Sequence, residues 1–262
     1  MKFLENLYKN VGIDLGTANF LVYMKGRGIV VDEPTLVAIN NRTNQILAVG
    51  DEAFKMLDRT PAHVSLIKPL INGVISDFDM TQEIIKHFLR KLSEKNIFSR
   101  YQVAAVSIPT SLTEVERKSV EDAVVSSGAS KVILVEEPIA SAIGTRLPIE
   151  EPSANMIVDI GGGTTEISII SIGGAVISRS LKVAGQKFNE DIIRFMKGEY
   201  KLLIGEPTAE ALKINVGSAL PVDDKLEMKV RGRDMTTGLP KEVTVRNPQI
   251  RGALQTTAYL IS

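Results

Sequence analysis

The sequence predicts an α/β protein made of two similar halves, each opening on a strand–glycine turn–strand hairpin and continuing into helices and strands. Three observations carry this. "VGIDLGTANF" at residues 11–20 and "VDIGGGTTEI" at 158–167 share one order: an apolar run, an aspartate, an apolar residue, glycine, a small hydroxyl residue, and renewed apolar residues. Short β-rich runs around each hairpin give way to stretches of helical periodicity. The length of 262 residues with 44% hydrophobic content is enough to bury a sizeable core in one large domain or two ordinary ones.

The elements follow in chain order. "VGIDLGTANFLVYMKGRGIVVDEPTLVAI" reads as consecutive antiparallel strands, because short β-rich runs alternate with Gly-containing turns. "DEAFKMLDRT", from Asp51, turns helical. In "DMTQEIIKHFLRKLSEK" the residues Ile84, Ile85, Phe88, Leu89 and Leu92 share one helical face. "YQVAAVSIP" is a buried strand. The helix "TEVERKSVEDAVVSSG" has Thr113 and Glu116 in capping-box spacing and Gly128 as its stop. Its Val120 and Val124 share a face that suits either a core or an antiparallel contact between copies. "KVILVEEP" is another strand, and Pro138 opens the next helix, where a missing N–H costs nothing. Residues 155–183 repeat the opening meander. "TAEALKINVGS" is a helix, and "RGRDMTTGLP" joins a strand pair.

Composition narrows the function classes. The 31 basic residues balance 31 acidic ones, so no overall field draws the chain to nucleic acid, and none is expected as a partner. Cysteine is absent, which excludes disulfides, thiolate metal sites and a cysteine nucleophile. His63 and His87 are isolated, so no zinc site is expected. "MKFLENLYKN" lacks the long apolar core of a secretory signal, and "EISIISIGGAVISRSL" is too short and polar to span a bilayer. A soluble or peripheral protein is expected.

Glycine has no Cβ to block the approach of an anion, so a Gly-rich hairpin lets backbone N–H groups converge on phosphate oxygens. Two such hairpins can grip one polyphosphate from both sides. Asp14 and Asp159 each sit where a strand meets its turn; a carboxylate there holds Mg²⁺ through water rather than phosphate directly. A single hairpin of this kind is more often an ordinary tight turn than a phosphate site, and it is the repetition that points to phosphate. No "GxxxxGK[ST]" and no Gly-rich turn leading straight into a helix is present, so neither a P-loop nor a dinucleotide fold is indicated.

"IDLGTANFLVY", "GIVVDEPTLVAI", "RTP", "GVISDF", "EEPIASAIG", "VDIGGGTTEISII", "LLIGEPTAEALK" and "GRDMTTGLP" occur in the order and spacing of MreB-type bacterial actins, which the chain resembles over nearly its whole length. The resemblance implies an actin-like ATPase fold of two ribonuclease-H-like halves around a nucleotide cleft. The halves would be residues 1–145, with a small-subdomain insert at about 32–77, and 146–262, with an insert at about 182–244. ATP and Mg²⁺ are the implied cofactors. The implied role is a protein that forms filaments of paired protofilaments, lying in the cytoplasm at the inner face of the cell membrane and organising cell-wall synthesis and rod shape with other shape proteins. Sugar kinases and heat-shock-type ATPases resemble the hairpins alone and stand as the alternatives; ATP-dependent pelleting separates them. The family pattern is expected to run to about Leu254, with "QTTAYLIS" drifting from it, and to continue in the family through a further stretch with another Gly-rich turn. On that expectation residues 1–262 alone bind ATP weakly and hydrolyse it negligibly.

Residue by residue, the resemblance assigns Asp14 and Asp159 to Mg²⁺, Gly16, Thr17, Ala18 and Asn19 to the first phosphate turn, and Gly161, Gly162, Gly163 and Thr164 to the second. Glu137 matches the residue that orients or deprotonates the attacking water. Adjacent strand residues face opposite ways, so only one of Glu136 and Glu137 can serve, and family position favours Glu137. Glu210 and Lys213, three apart on one helical face, resemble the pair near the nucleoside, with a solvated ion pair as the plainer reading. Asn215 stands where many relatives carry an acid. Membrane contact is expected from Phe3, Leu4 and Leu7, which with Tyr8 form one face of a short N-terminal helix, and from Ile97 and Phe98 in the polar loop "EKNIFSRY". The plainer reading of the first is an apolar lead-in to the first strand, and of the second a cap on the core beneath it.

Overall fold

The computed structural model describes residues 8–57, 60–71, 73–93, 100–222 and 225–262. The chain separates into two compact units, Met1–Lys182 and Val183–Ser262.

The first unit is organised by a five-stranded mixed sheet. Its strands β1 (Tyr8–Leu15), β2 (Asn19–Met24) and β3 (Gly28–Pro34) form the expected antiparallel meander, and β9 (Arg100–Ile108) and β10 (Ala129–Glu136) add in parallel, giving the order β10-β9-β1-β2-β3. The two-residue period of a strand sorts the side chains. Val11, Ile13 and Leu15 of β1 pair with Met24, Val22 and Phe20 of β2, and all six are buried. Asp14 and its cross-strand partner Leu21 necessarily face the other way.

Two helices belong to this core. In α2 (Phe78–Ser93) the predicted stripe is realised, with Ile84, Ile85, Phe88 and Leu89 fully buried and Phe88 stacked on Phe20 at 5.0 Å between ring centroids. α3 (Glu114–Ser126) carries the predicted capping box, with Thr113 accepting from the Glu116 N–H and Glu116 accepting from the Thr113 N–H. Val120 and Val124 are fully buried in the same core, so of the two readings for that face it is the core that the structure supports. The helical reading of "DEAFKMLDRT" shortens to α1 (Asp51–Phe54), which packs Ala53 against the small sheet of β4 (Val37–Asn40), β5 (Ile46–Val49) and β6 (Val64–Ile67). β7 (Leu70–Ile71) and β8 (Val74–Ile75) pair as a short ribbon.

The second meander consists of β11 (Asn155–Ile160), β12 (Thr165–Ser171) and β13 (Gly174–Leu181), all antiparallel. One face packs Ile157 and Ile170 on Ala142 of α4 (Glu137–Gly144), and this is the face to which Asp159 belongs. The other face presents Met156, Val158 and Ile160, which are 68%, 44% and 53% exposed.

The second unit packs α5 (Gly185–Glu199), α6 (Glu206–Val216) and α7 (Asn247–Ile261) with a three-stranded sheet of β14 (Leu202–Leu203), β15 (Glu227–Asp234) and β16 (Pro240–Arg246). Ile192, Met196, Leu212, Val216, Val230, Val245, Ile250 and Leu254 form its core. The buried Asp191 of α5 accepts a hydrogen bond from Thr257 of α7 and an ion pair from Arg194 at 3.1 Å. Among the described residues no helix is long and apolar enough to cross a membrane.

Candidate active site

The turn after β1 is held from outside its own hairpin. Thr35 donates its hydroxyl to the Gly16 carbonyl at 2.7 Å and its N–H to the Ala18 carbonyl at 2.9 Å, and the Gly73 N–H donates to Thr17 Oγ1 at 3.1 Å. Gly16 is required here: a Cβ would sit 2.6 Å from the Asn19 carbonyl oxygen. Asn19 donates through Nδ2 to Asp32 at 3.0 Å.

The turn after β11 closes through a Gly161 N–H donated to the Thr164 carbonyl at 2.9 Å. The two turns meet. A Cβ on Gly162 would lie 2.5 Å from that of Ala18, so the second turn comes this close only because it has no side chain there. Between them is a cleft of about 250 Å³, lined by Asp14, Gly16, Thr17, Ala18, Asn19, Glu137, Asp159, Gly161, Gly162, Gly163 and Thr164. Every sequence-predicted residue of the first unit that falls in the described region thus borders one cavity.

Negative charge converges on it. Burial, and secondarily the nearby Asp159, raise the Asp14 carboxyl above its ordinary range. Burial also pushes Glu137 up to about 8, with further contributions from Asp14, Glu166 and Asp159. Crowded carboxylates whose charged forms are disfavoured suit a divalent cation, which supplies the missing positive charge. Among the described residues no cluster of three or more potential ligands exists. Two carboxylates fit Mg²⁺, which keeps several waters and takes its other oxygens from phosphate.

Glu136 and Glu137 diverge. Glu136 ends β10 and is held by Arg117 of α3 at 3.0 Å, whereas Glu137 starts α4 and borders the cleft. One turn further along α4, Ser141 donates to Asp159 Oδ2. Sequence reasoning missed Ser141, although it lies four residues from Glu137 and so on the same helical face. It also missed Leu21 and Ser107, which border the cleft, and Glu166, the cross-strand partner of Asp159. Glu166 is 1% exposed and accepts from Thr110 at 3.0 Å.

In the second unit Glu210 and Lys213 do form a pair, with Nζ 2.7 Å from Oε2. Asn215 instead returns its amide to the Ala211 carbonyl at 2.8 Å. Phe3, Leu4, Leu7, Ile97 and Phe98, expected at a membrane, lie outside the described residues.

Comparison with known proteins identifies the relatives of this chain. A family model described as MreB/Mbl protein matches residues 8–262. The match includes 255–262, which corrects the expectation that the pattern ends near Leu254: "QTTAYLI" continues α7 without a break. The cell shape-determining protein Mbl of Bacillus subtilis (strain 168) is 47% identical over 253 residues, covering 97% of this chain and 76% of that protein. The crystal structure of MreB 5 of Spiroplasma citri bound to AMPPNP shares 38% identity with a TM-score of 0.88, over 97% of this chain and 76% of that one. MamK in its double helical filament, at 21% identity and a TM-score of 0.73 over 95% of this chain and 76% of that one, shares the actin-like fold.

Proposed function

This chain belongs to the MreB/Mbl family of actin-like cell shape-determining proteins, and we propose that it binds ATP with Mg²⁺ in the cleft between its two glycine turns, hydrolyses it, and assembles with copies of itself into filaments. Family membership sets aside the sugar-kinase and chaperone alternatives. The observation that supports the nucleotide site is the convergence of Asp14, Asp159 and Glu137 on one cavity walled by both turns. That a Spiroplasma citri relative of 38% identity was crystallised with AMPPNP supports the same reading.

In this reading the backbone N–H groups of residues 16–19 and 161–164 bind the phosphate oxygens. Asp14 and Asp159 would hold Mg²⁺ through water, and the ion would supply positive charge to offset that of the phosphates. Ser141 fixes the rotamer of Asp159 through its hydrogen bond. Glu137 orients a water in line with the γ-phosphate and takes its proton as the water oxygen bonds to phosphorus and the bond to the β-phosphate oxygen breaks, releasing ADP. Glu210 and Lys213 receive the nucleoside. The filaments lie on the inner face of the cell membrane, where Phe3, Leu4, Leu7, Ile97 and Phe98 contact lipid, and act there with proteins of cell-wall synthesis. Many weak contacts along a polymer add up, so two short apolar segments suffice.

Sedimentation with ATP, ADP and no nucleotide tests the assembly. Pelleting that requires ATP is expected, and pelleting indifferent to nucleotide refutes the coupling. Glu137→Ala tests the site: turnover is expected to fall by about 10² with ATP binding nearly intact, because a water-orienting group acts mainly in the transition state.

A further inference from the structure

We propose that Glu166 is a positioning residue for Glu137: its buried Oε1 holds a water that bridges to the Glu137 carboxyl, so that one Glu137 oxygen is fixed from behind and the other faces the cleft. The inference rests on the reading that Glu137 orients the attacking water. Glu166 lies on β12, is 1% exposed and is not among the residues that line the cleft. Its Oε2 accepts from Thr110, in the segment between β9 and α3, at 3.0 Å, while its Oε1 is buried with no partner among the described residues.

A carboxyl group in that place needs a reason. Glu166, Ser168 and Ile170 share one face of β12 by the two-residue period, and this is the face on which α4 packs, with Ala142 in one cluster with Ile157 and Ile170. Ser168 is answered by Ser178 at 2.8 Å. Glu166 is answered on one oxygen only, by a neutral hydroxyl. A buried carboxyl oxygen without a donor is costly, and leucine, of similar size, would avoid the penalty.

The same placement sets Glu166 behind Glu137. Glu137 is the first residue of α4 and borders the cleft, and α4 packs on β12. After burial and Asp14, the charge of Glu166 weighs more on the Glu137 carboxyl than that of Asp159 does, although it is Asp159 that shares the cleft with Glu137. Glu166 thus lies close to Glu137 but out of the cleft. A water between two carboxyl groups serves both, donating one hydrogen to Glu166 Oε1 and the other to Glu137. Thr110 then holds Glu166, the water links Glu166 to Glu137, and the base is aligned by its surroundings instead of by its own flexible stem.

The test compares Glu166→Leu with the wild-type 262-residue chain by crystallography, by ATP turnover, and by calorimetry and thermal unfolding with ATP and Mg²⁺. In the wild type a water is expected within hydrogen-bond distance of both Glu166 Oε1 and a Glu137 carboxyl oxygen. In Glu166→Leu that water should be gone and Glu137 should occupy more than one rotamer. Turnover should fall about tenfold, since a misdirected base keeps its chemistry and loses its alignment. ATP affinity should stay within about twofold, and the melting temperature should be unchanged or raised, because the unanswered oxygen has been removed. In a Glu137→Ala background the same change should have no further effect on turnover, as expected of a residue that acts only through Glu137. A Glu137 side chain equally ordered and equally placed in the variant overturns the proposal, whether or not the chain turns over ATP. So does an equal loss of turnover in both backgrounds, or a fall in ATP affinity together with a lowered melting temperature, which would make Glu166 structural. If the wild type turns over no ATP, it is the hydrolysis reading that fails, and the crystallographic comparison still decides the positioning.

Discussion

Replacing Glu137 with Gln is expected to stop turnover and also to stabilise the protein, and the second effect tests the electrostatics of the cleft directly. In the folded chain burial, then the charges of Asp14, Glu166 and Asp159, hold this carboxyl at about 8 instead of its ordinary 4.5. The folded state therefore binds the proton more tightly than the unfolded state does. The stability associated with the neutral carboxyl is fully present below about 4.5 and is lost progressively as pH rises through about 8. At about 1.4 kcal/mol per pH unit the whole window is worth roughly 5 kcal/mol as an upper bound. The side chain is only half-buried at an open cleft, so solvent screens part of this, and about 2 kcal/mol is the working expectation. Glutamine has the same shape and no charge. Urea unfolding at pH 5, 7 and 9 without nucleotide should give similar wild-type and variant stabilities at pH 5, and a variant more stable by about 2 kcal/mol at pH 9, with equal m-values. Parallel pH curves would refute the argument, because they would mean that Glu137 titrates as an ordinary exposed carboxylate.

Three further outcomes are expected. Asp159→Ala should weaken nucleotide binding in the presence of Mg²⁺ by about tenfold or more while leaving Mg²⁺-free binding unchanged, and an unaltered Mg²⁺ dependence in calorimetry removes this residue from the metal role. Gly162→Ala should cost about 1–3 kcal/mol and impair nucleotide binding, because its Cβ would lie 2.5 Å from that of Ala18; Ala18→Gly in the same chain should restore both, and a double variant no better than the single one shows that the contact is not what matters. Changing Phe3, Leu4, Ile97 and Phe98 together to Ser should abolish co-sedimentation of polymers with liposomes while filaments persist, since each buried apolar side chain contributes about 1.5–3 kcal/mol, and surviving liposome binding rules out both segments as the anchor.

What could be read in the sequence was what is encoded locally. The capping box at Thr113 and Glu116 and the stripe from Ile84 to Leu89 each lie within a few turns of one helix, and both appear in the structure as read. The hairpins were legible for the same reason, since alternation and glycine act over adjacent residues. α5 and α7 went unread although each has an apolar pair at helical spacing, Ile192 with Met196 and Ile250 with Leu254. Their buried faces also carry Asn189, Asp191, Asn247 and Thr257, and polar residues on an inward face blur the stripe on which a sequence reading depends. Each of these residues bonds to a distant segment of the chain, as when Asn247 donates to the Val216 carbonyl at 2.7 Å. In the site, Thr35 and Gly73 went unnoticed because they lie far along the chain from the turn they support, and Glu166 because its partner Thr110 lies in a distant segment.

The resemblance between the two hairpins accounts for the architecture, and the differences between them account for the chemistry. Asp14 is paired across its hairpin with Leu21, while Asp159 is paired with Glu166, so one aspartate has an apolar neighbour and the other an acidic one. Among the described residues, Asp159 and not Asp14 receives a hydroxyl from a helix, through Ser141. The turns differ in the same way. The first keeps a methyl group at Ala18 and the second has none at Gly162, and their contact depends on that inequality, since a Cβ on each would bring the two within 2.5 Å. Two identical turns bearing alanine could not close on one cleft, and two bearing only glycine would lose the side chain that limits backbone freedom in the first. A strictly symmetric pair would therefore make a looser cavity with two equivalent carboxylates. The unequal pair makes a tight one, in which Glu137 sits near three acids contributed by β1, β11 and β12 and holds its proton up to about pH 8 until a cation lowers the local field.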